Sequence, residues 1–234
     1  LASVWYANGT FISSFSRYEV PKAPIAAITA DNAGMQMKSE ASGGALALND
    51  FDGDGDLDVF VGGRALPNEW PLPAPSYIYR NDGQTFTNVT ADKAPELLKL
   101  GLATGAMWLD IDNDGDSDLL VATEYGPVRL FKNHQGALKD ATTESGLDKW
   151  HGLWTGITSG DFNRDGHMDF AVANWGLNTR YHASEQYPAK LFAGDIDGDG
   201  DLDIVEAEYI DGVLRPMRER GMVGAEMPFV YEKF

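Results

Sequence analysis

Cysteine is absent from the 234 residues, so no disulfide staples the fold and no thiol chemistry or thiolate metal site is available. No stretch of 18 apolar residues occurs, which excludes a membrane-spanning helix. Basic residues are scarce: 18 Lys and Arg stand against 36 Asp and Glu, a formal charge of −18, and the basic footprint that nucleic acid requires is missing. The four histidines (His134, His151, His167, His182) are scattered. No Ser/His/Asp order or nucleophile elbow accompanies them, and Gly156-Ile-Thr-Ser-Gly160 misses the elbow register by one residue. Leu1 opens without a methionine or a signal peptide, so the chain is expected to be a mature or excised portion of something larger.

What the chain has instead is one nine-residue segment in four copies. Asp50-Phe-Asp-Gly-Asp-Gly-Asp-Leu-Asp58 recurs as Asp110-Ile-Asp-Asn-Asp-Gly-Asp-Ser-Asp118, Asp161-Phe-Asn-Arg-Asp-Gly-His-Met-Asp169 and Asp195-Ile-Asp-Gly-Asp-Gly-Asp-Leu-Asp203. Positions 1, 3, 5 and 9 carry a carboxylate or carboxamide, and position 6 is always glycine. That is the arrangement a tight loop needs to wrap oxygen ligands around a hard cation, with calcium the natural guest. The side-chain ligands are Asp50, Asp52, Asp54 and Asp58; Asp110, Asp112, Asp114 and Asp118; Asp161, Asn163, Asp165 and Asp169; and Asp195, Asp197, Asp199 and Asp203. A further oxygen is expected from the backbone carbonyl at position 7: Asp56, Asp116, His167 or Asp201. Magnesium prefers strict octahedral geometry with retained waters, and soft metals want Cys or His, so about four calcium ions are the expected cofactor.

Acidic turns need no metal when they occur singly, because Asp and Gly are common turn formers. Four copies at one spacing are different, since like charges about 4 Å apart repel by roughly 1 kcal/mol per pair even in water. The EF-hand starts similarly but needs a Glu at position 12 and flanking helices. Position 12 here is Val61, Val121, Val172 or Glu206, and β-branched or aromatic runs follow each loop, so the loops sit between strands.

Half of the 36 acids lie in these loops with Arg164 as the sole base there, leaving 18 acids against 17 bases elsewhere. Acidity therefore belongs to the metal sites and not to the surface at large. Such loops fill where calcium is about millimolar, which points to an extracellular, cell-surface or periplasmic location. Asn8-Gly-Thr10 and Asn88-Val-Thr90 match a glycosylation acceptor, a triplet that also arises by chance.

The copies start 60, 51 and 34 residues apart, periods expected of propellers or solenoids. Each block reads as a strand in, the loop and a strand out. The first two blocks add Ser76–Tyr79 with Thr85–Thr87, and Val128–Phe131 with a strand near Ala137-Leu138, around hairpin turns at 81–84 and 133–136. Four antiparallel strands per block make a propeller blade. The predicted fold is all-β, a propeller or propeller fragment of about four to five blades over 1–234, complete in itself or part of a larger ring. Residues 1–44, with an Asn8-Gly9 hairpin signal, form a partial metal-free blade; 45–210 hold the calcium-loop blades; 211–234 are a C-terminal extension. The 34-residue interval is too short for a full blade, and 174–190 reads as an irregular excursion.

Over about 45–207 these repeats resemble the FG-GAP/VCBS family, the calcium-bearing propeller repeats related to those of the integrin α-subunit head. Phe60-Val-Gly-Gly-Arg-Ala-Leu-Pro67 loosely follows the FG-GAP signature, departing at Val61 and by the Arg-Ala-Leu insertion; Leu130-Phe-Lys-Asn133 and Ala141-Thr-Thr-Glu-Ser-Gly-Leu147 are similar to VCBS units. More narrowly, 62–73, 174–181 and 211–218 look like the cartilage-acidic-protein-like (ASPIC/UnbV-type) group of large secreted or outer-membrane-associated bacterial proteins. The resemblance implies calcium at the loop positions named above and a chain that continues past Phe234. Asn163 is neutral where the family has Asp, so the third site is expected to be the weakest.

Aromatic and basic residues gather in two odd loops: Arg64, Trp70 and Tyr77 in one, and Trp175, Asn178, Arg180 and Tyr181 in the other. Exposed, they can stack on a sugar ring and hydrogen-bond its hydroxyls; buried, they plug the core between blades. Trp108 and Trp154, beside inner strands, are expected in the core. The predicted function is a rigid binding, adhesion or scaffold module for a protein or glycan ligand, joined to neighbouring domains of the same polypeptide. The alternative is a calcium-dependent polysaccharide lyase or hydrolase built on a propeller. No catalytic constellation supports it, and calcium with a filled shell is a poor Lewis acid beside an open zinc site.

Overall fold

A computed structural model describes residues 44–66, 68–83 and 85–233, together with three short strands, β1 (Trp5–Ala7), β2 (Thr10–Ile12) and β3 (Arg17–Glu19). β1 and β2 pair antiparallel with Ala7 opposite Thr10, the register of a two-residue hairpin; Asn8 and Gly9 themselves lie outside the described residues. β3 adds to β2 and completes a three-stranded sheet.

The first Asp-loop block forms the four-stranded sheet β4 (Leu46–Asn49), β5 (Asp58–Val61), β6 (Tyr77–Asn81) and β7 (Phe86–Asn88), antiparallel and in chain order. A single helical turn, α1 (Thr90–Lys93), leads to the second block: β8 (Leu102–Leu109), β9 (Asp118–Pro127), β10 (Arg129–Asn133) and β11 (Leu138–Asp140). The third block contributes only β12 (His151–Gly160) and β13 (Asp169–Asn174), followed by the irregular stretch expected from its short period. The fourth is a three-stranded sheet of β14 (Lys190–Gly194), β15 (Asp203–Ile210) and β16 (Val213–Pro216). Two short helices, α2 (Arg220–Glu226) and α3 (Phe229–Lys233), end the described chain. β16 carries the last sheet past residue 210, so only the helical segment beyond it stands as an extension. Among the described residues no helix is long and apolar enough to cross a membrane.

The first three Asp-loop blocks stack face to face, and the alternation of strand side chains shows how. Leu119, Val121 and Phe131 point into a core shared with Phe51, Phe60 and Ile78 of the first block. Their neighbours Leu120 and Leu130 face the opposite way, into a core with Trp154, Ile157, Phe170 and Val172 of the third block. The second sheet is thus buried on both faces, which is why β9 opens with an unbroken apolar run instead of an alternating one. Trp108 packs against the first of these cores and Trp154 against the second.

One feature departs from a set of separate four-stranded blades. β9 is ten residues long and outruns β10, with which it pairs only through Leu119, Leu120 and Val121. Its free far end pairs with β12, Glu124 opposite Leu153 and Pro127 opposite His151, so the second and third blocks merge into one six-stranded sheet. Unpaired backbone beyond β10 is satisfied by the next block's first strand. Among the described residues no sheet closes on itself.

Candidate functional site

The four Asp loops share one internal geometry. Position 1 folds back and accepts the backbone N–H of position 6 at 2.9–3.2 Å: Asp50 from Gly55, Asp110 from Gly115, Asp161 from Gly166 and Asp195 from Gly200. Position 5 accepts the N–H of position 7 at 2.8–2.9 Å in all four copies. Position 9 accepts the N–H of position 2, as in Asp58 from Phe51 at 3.0 Å and Asp203 from Ile196 at 2.8 Å. The invariant glycine has φ between +89° and +97° in every loop, a region that side-chain-bearing residues avoid, so the bend at position 6 requires it.

These bonds gather carboxylates. Oxygens of Asp50, Asp52 and Asp58 lie within 4.8 Å of one another, as do those of Asp110, Asp112 and Asp118, and of Asp195, Asp197 and Asp199. In the third loop the Asn163 amide donates to Asp165 at 2.9 Å and turns its N–H towards the acidic cluster. Position 7 side chains look outward: Asp116 accepts from the Gln135 N–H at 2.9 Å, and His167 Nδ1 lies 2.7 Å from the Asn113 amide.

The first loop passes a stricter test for a cation. Asp52 Oδ1 is buried without a hydrogen-bond partner, in a setting where an orphan carboxylate oxygen is costly. Burial, then the Asp54 charge, raises its carboxyl above the usual range. Burial likewise pushes Asp58 up to about 6 and raises Asp118, in each case only partly offset by two backbone N–H donors. A divalent cation would supply the missing positive partner, so the residues fit a hard oxygen-ligated ion. In the second loop Lys132 donates to Asp112 at 2.9 Å and holds that carboxyl below its ordinary range.

Two asparagines that sequence reasoning treated only as hairpin-turn residues help to build these sites. The backbone N–H of Asn81 donates to Asp58 and that of Asn133 to Asp118, both at 2.8 Å, while their amides donate to the Leu57 and Ser117 carbonyls. The signal was visible as a shared aromatic-basic-Asn ending in Tyr79-Arg-Asn81 and Phe131-Lys-Asn133.

The aromatic residues of the odd loops also come together. Arg64, Trp70, Trp175, Asn178, Arg180 and Tyr181 line one pocket of about 440 Å³, joined there by Glu124 and Tyr125 of β9. Trp175 is 53% exposed, so it does not plug a core. Tyr77 stays outside the pocket and packs with Val59, Tyr79 and Phe86 on the first sheet. Glu124 and Tyr125 carried no signal as pocket residues, because their approach depends on how β9 lies against the loops.

A family model described as FG-GAP-like repeat matches the chain twice, over residues 50–121 and 110–172. Cartilage acidic protein 1 of Xenopus tropicalis is 36% identical over 143 residues, 57% of this chain and 21% of that protein. The Homo sapiens protein of the same name is 40% identical over 60 residues, 25% of this chain and 9% of its own length. Integrin alpha-PS2 of Drosophila melanogaster is 30% identical over 157 residues, 56% of this chain and 10% of that protein. The chain therefore spans about a fifth or less of the length of these relatives.

Proposed function

The chain belongs to the FG-GAP-like repeat family, whose model covers just over half of it, and from that premise we propose that it is a calcium-stabilised, propeller-type module for adhesion or scaffolding in a larger extracellular or surface protein. The observation that carries the calcium reading is the buried, partnerless Asp52 Oδ1 inside a triad of carboxylates. Calcium would be held by positions 1, 3, 5 and 9 of each loop, and its chemistry there is charge compensation and cross-linking of a turn. The face-to-face stacking of sheets and the repeated loop-to-strand units support the propeller reading. With no cysteine to staple it, a chain of stacked sheets gains from ions that tie each strand-in to its strand-out. Similarity to an integrin alpha chain and to cartilage acidic protein 1 supports an adhesion or scaffold role.

The test is calcium titration by calorimetry on the metal-free protein, followed by thermal melts. Saturable binding of more than one ion with a matching rise in melting temperature is expected. A melt unmoved by calcium, or equal stabilisation by sodium chloride of the same ionic strength, overturns the reading.

A further inference from the structure

The Asp loops lead into the N-terminal ends of β5, β9 and β13, whereas the pocket is built at or beyond the opposite ends of those strands. Arg64 and Trp70 follow β5, Glu124 and Tyr125 lie at the far end of β9, and Trp175 and Asn178 follow β13. From Asp118 to Tyr125 the strand rises about 24 Å at roughly 3.4 Å per residue. The cleft is therefore chemically separate from the metal loops, with walls contributed by three blocks.

Its charges are paired internally. Arg64 grips Glu124 with Nε and Nη2 at 2.7–3.0 Å, and Arg180 and Tyr181 both bond Glu206, the tyrosine hydroxyl at 2.6 Å. The two pairs cancel, so the cleft offers no net field for an anion or a cation. They nonetheless leave Arg64 Nη1, the remaining lone pairs of Glu124 and the Asn178 amide without hydrogen-bond partners among the described residues, a set of fixed donors and acceptors. Around them stand flat apolar surfaces: Trp70 sits edge-on to Tyr125 at 6.0 Å, and Trp175 presents an open ring. Tyr125 itself adopts φ +54°, a conformation disfavoured for a bulky residue and often met where a side chain is held for use.

A second cavity of about 730 Å³ continues the first, sharing Tyr125, Leu153, Thr179 and Tyr181, and is lined also by Trp150, which is 56% exposed, and by Lys149, Lys190 and Glu185. Exposed indoles thus line both cavities, Trp175 the first and Trp150 the second, with the paired ionic groups in the first. Aromatic faces take the C–H side of a pyranose and paired ionic groups take its hydroxyls, and the internal pairing of the first cavity's charges disfavours acidic polymers and basic peptides there.

We propose that this cleft binds a neutral oligosaccharide, stacked on Trp175 and Trp150 and hydrogen-bonded through the Arg64–Glu124 pair and Asn178. This names the ligand class of the module proposed above and rests on that reading only for the premise that the chain binds rather than transforms its ligand.

The test uses cello-, xylo-, manno- and chito-tetraose with their monosaccharides, in saturating calcium, followed by calorimetry and tryptophan fluorescence. At least one tetraose is expected to bind and to perturb the fluorescence, about tenfold or more tighter than its monosaccharide. Trp175→Ala is expected to weaken it by at least about tenfold, equivalent to about 1.4 kcal/mol, with an unchanged melting temperature. Asn178→Ala provides a second variant on an exposed turn, and Glu124→Gln is expected to lose affinity without loss of fold. Failure of all four tetraoses at millimolar concentration, binding confined to charged glycans or peptides, or full affinity in both Trp175→Ala and Asn178→Ala overturns the proposal. Release of new reducing ends from a bound tetraose would support the cleft as a neutral-glycan site while overturning the module reading, and loss of calcium stabilisation alone would leave the cleft proposal standing.

Discussion

The side-chain amide of Asn133 donates to the backbone carbonyl of Phe51 at 2.7 Å, joining a turn of the second block to the Asp loop of the first across 82 residues of sequence. The same asparagine holds its own block's loop through Asp118. One residue, through its backbone N–H and its side-chain amide, thus couples two Asp loops. Gly136 at the end of that turn lies so close to the first loop that an added Cβ would meet the Asp52 Cβ at 2.7 Å.

Replacing Asn133 with alanine takes the amide donor from the buried Phe51 carbonyl and the part-buried Ser117 carbonyl, and the acceptor from the buried Gly136 N–H. The expected loss is about 2–3 kcal/mol. Asn81→Ala frees one carbonyl, that of Leu57, and the Gly83 N–H from their side-chain partner, and is expected to cost less. Urea unfolding of the two variants in calcium checks the order; equal losses would contradict it.

Gly136→Ala combines a positive φ of +77° with the approach to Asp52. The expected outcome is destabilisation by more than about 1 kcal/mol together with weaker calcium binding at the first loop, because the displaced residue is its position 3 ligand. Gly146→Ala, also at positive φ but in open space, is expected to show the strain without the calcium effect. Calorimetric titration of both variants separates the two contributions.

Removing calcium is expected to lower the melting temperature substantially. A site with a dissociation constant near 0.1 mM at about 1 mM calcium stabilises by roughly 1.4 kcal/mol, so four sites reach the stability of a modest domain. Differential scanning calorimetry with and without EGTA measures the effect.

Burial raises the Asp58 carboxyl to about 6, above its unfolded value of 3.8, so the native metal-free protein holds that proton more tightly than the unfolded chain does. The cost of keeping Asp58 ionised is present above pH 6 and disappears below about pH 4. In EGTA, stability is expected to rise as pH falls from 7 to about 5. In calcium it is expected to fall over the same range, because the ion competes with the proton. Melting curves under both conditions should converge at the acid end.

Asn163→Asp restores a carboxylate at position 3 of the third loop and removes the amide that donates to Asp165. Calcium affinity at that loop is expected to rise by about tenfold for one added anionic ligand, read as an additional tight step in the titration. No change in the third step would show that Asn163 already ligates through its carbonyl oxygen as well as an aspartate does.

The loops and the strands beside them were legible in local sequence because both rest on short-range rules. Gly55, Gly115, Gly166 and Gly200 are needed for one bend, and the hydrogen bonds that shape each loop from within run to backbone N–H groups no more than seven residues away. The hairpins at Asn81 and Asn133 followed from turn chemistry of the same range. The merged sheet was not legible, because whether the far end of β9 pairs with β12 depends on two strands 24 or more residues apart meeting at an angle no local pattern encodes.

Repetition of Asp, Gly and β-branched residues at fixed spacing was enough to settle four oxygen-rich turns between strands, since turn geometry and carboxylate repulsion act within nine residues. Burial needed the tertiary structure: the second block's turn packs on the first loop at Asp52, and Asp58 at the head of β5 is fully buried. The cleft needed it too. Arg64, Tyr125, Trp175 and Tyr181 are distant in sequence and meet because β5, β9 and β13 all end on the side opposite the Asp loops.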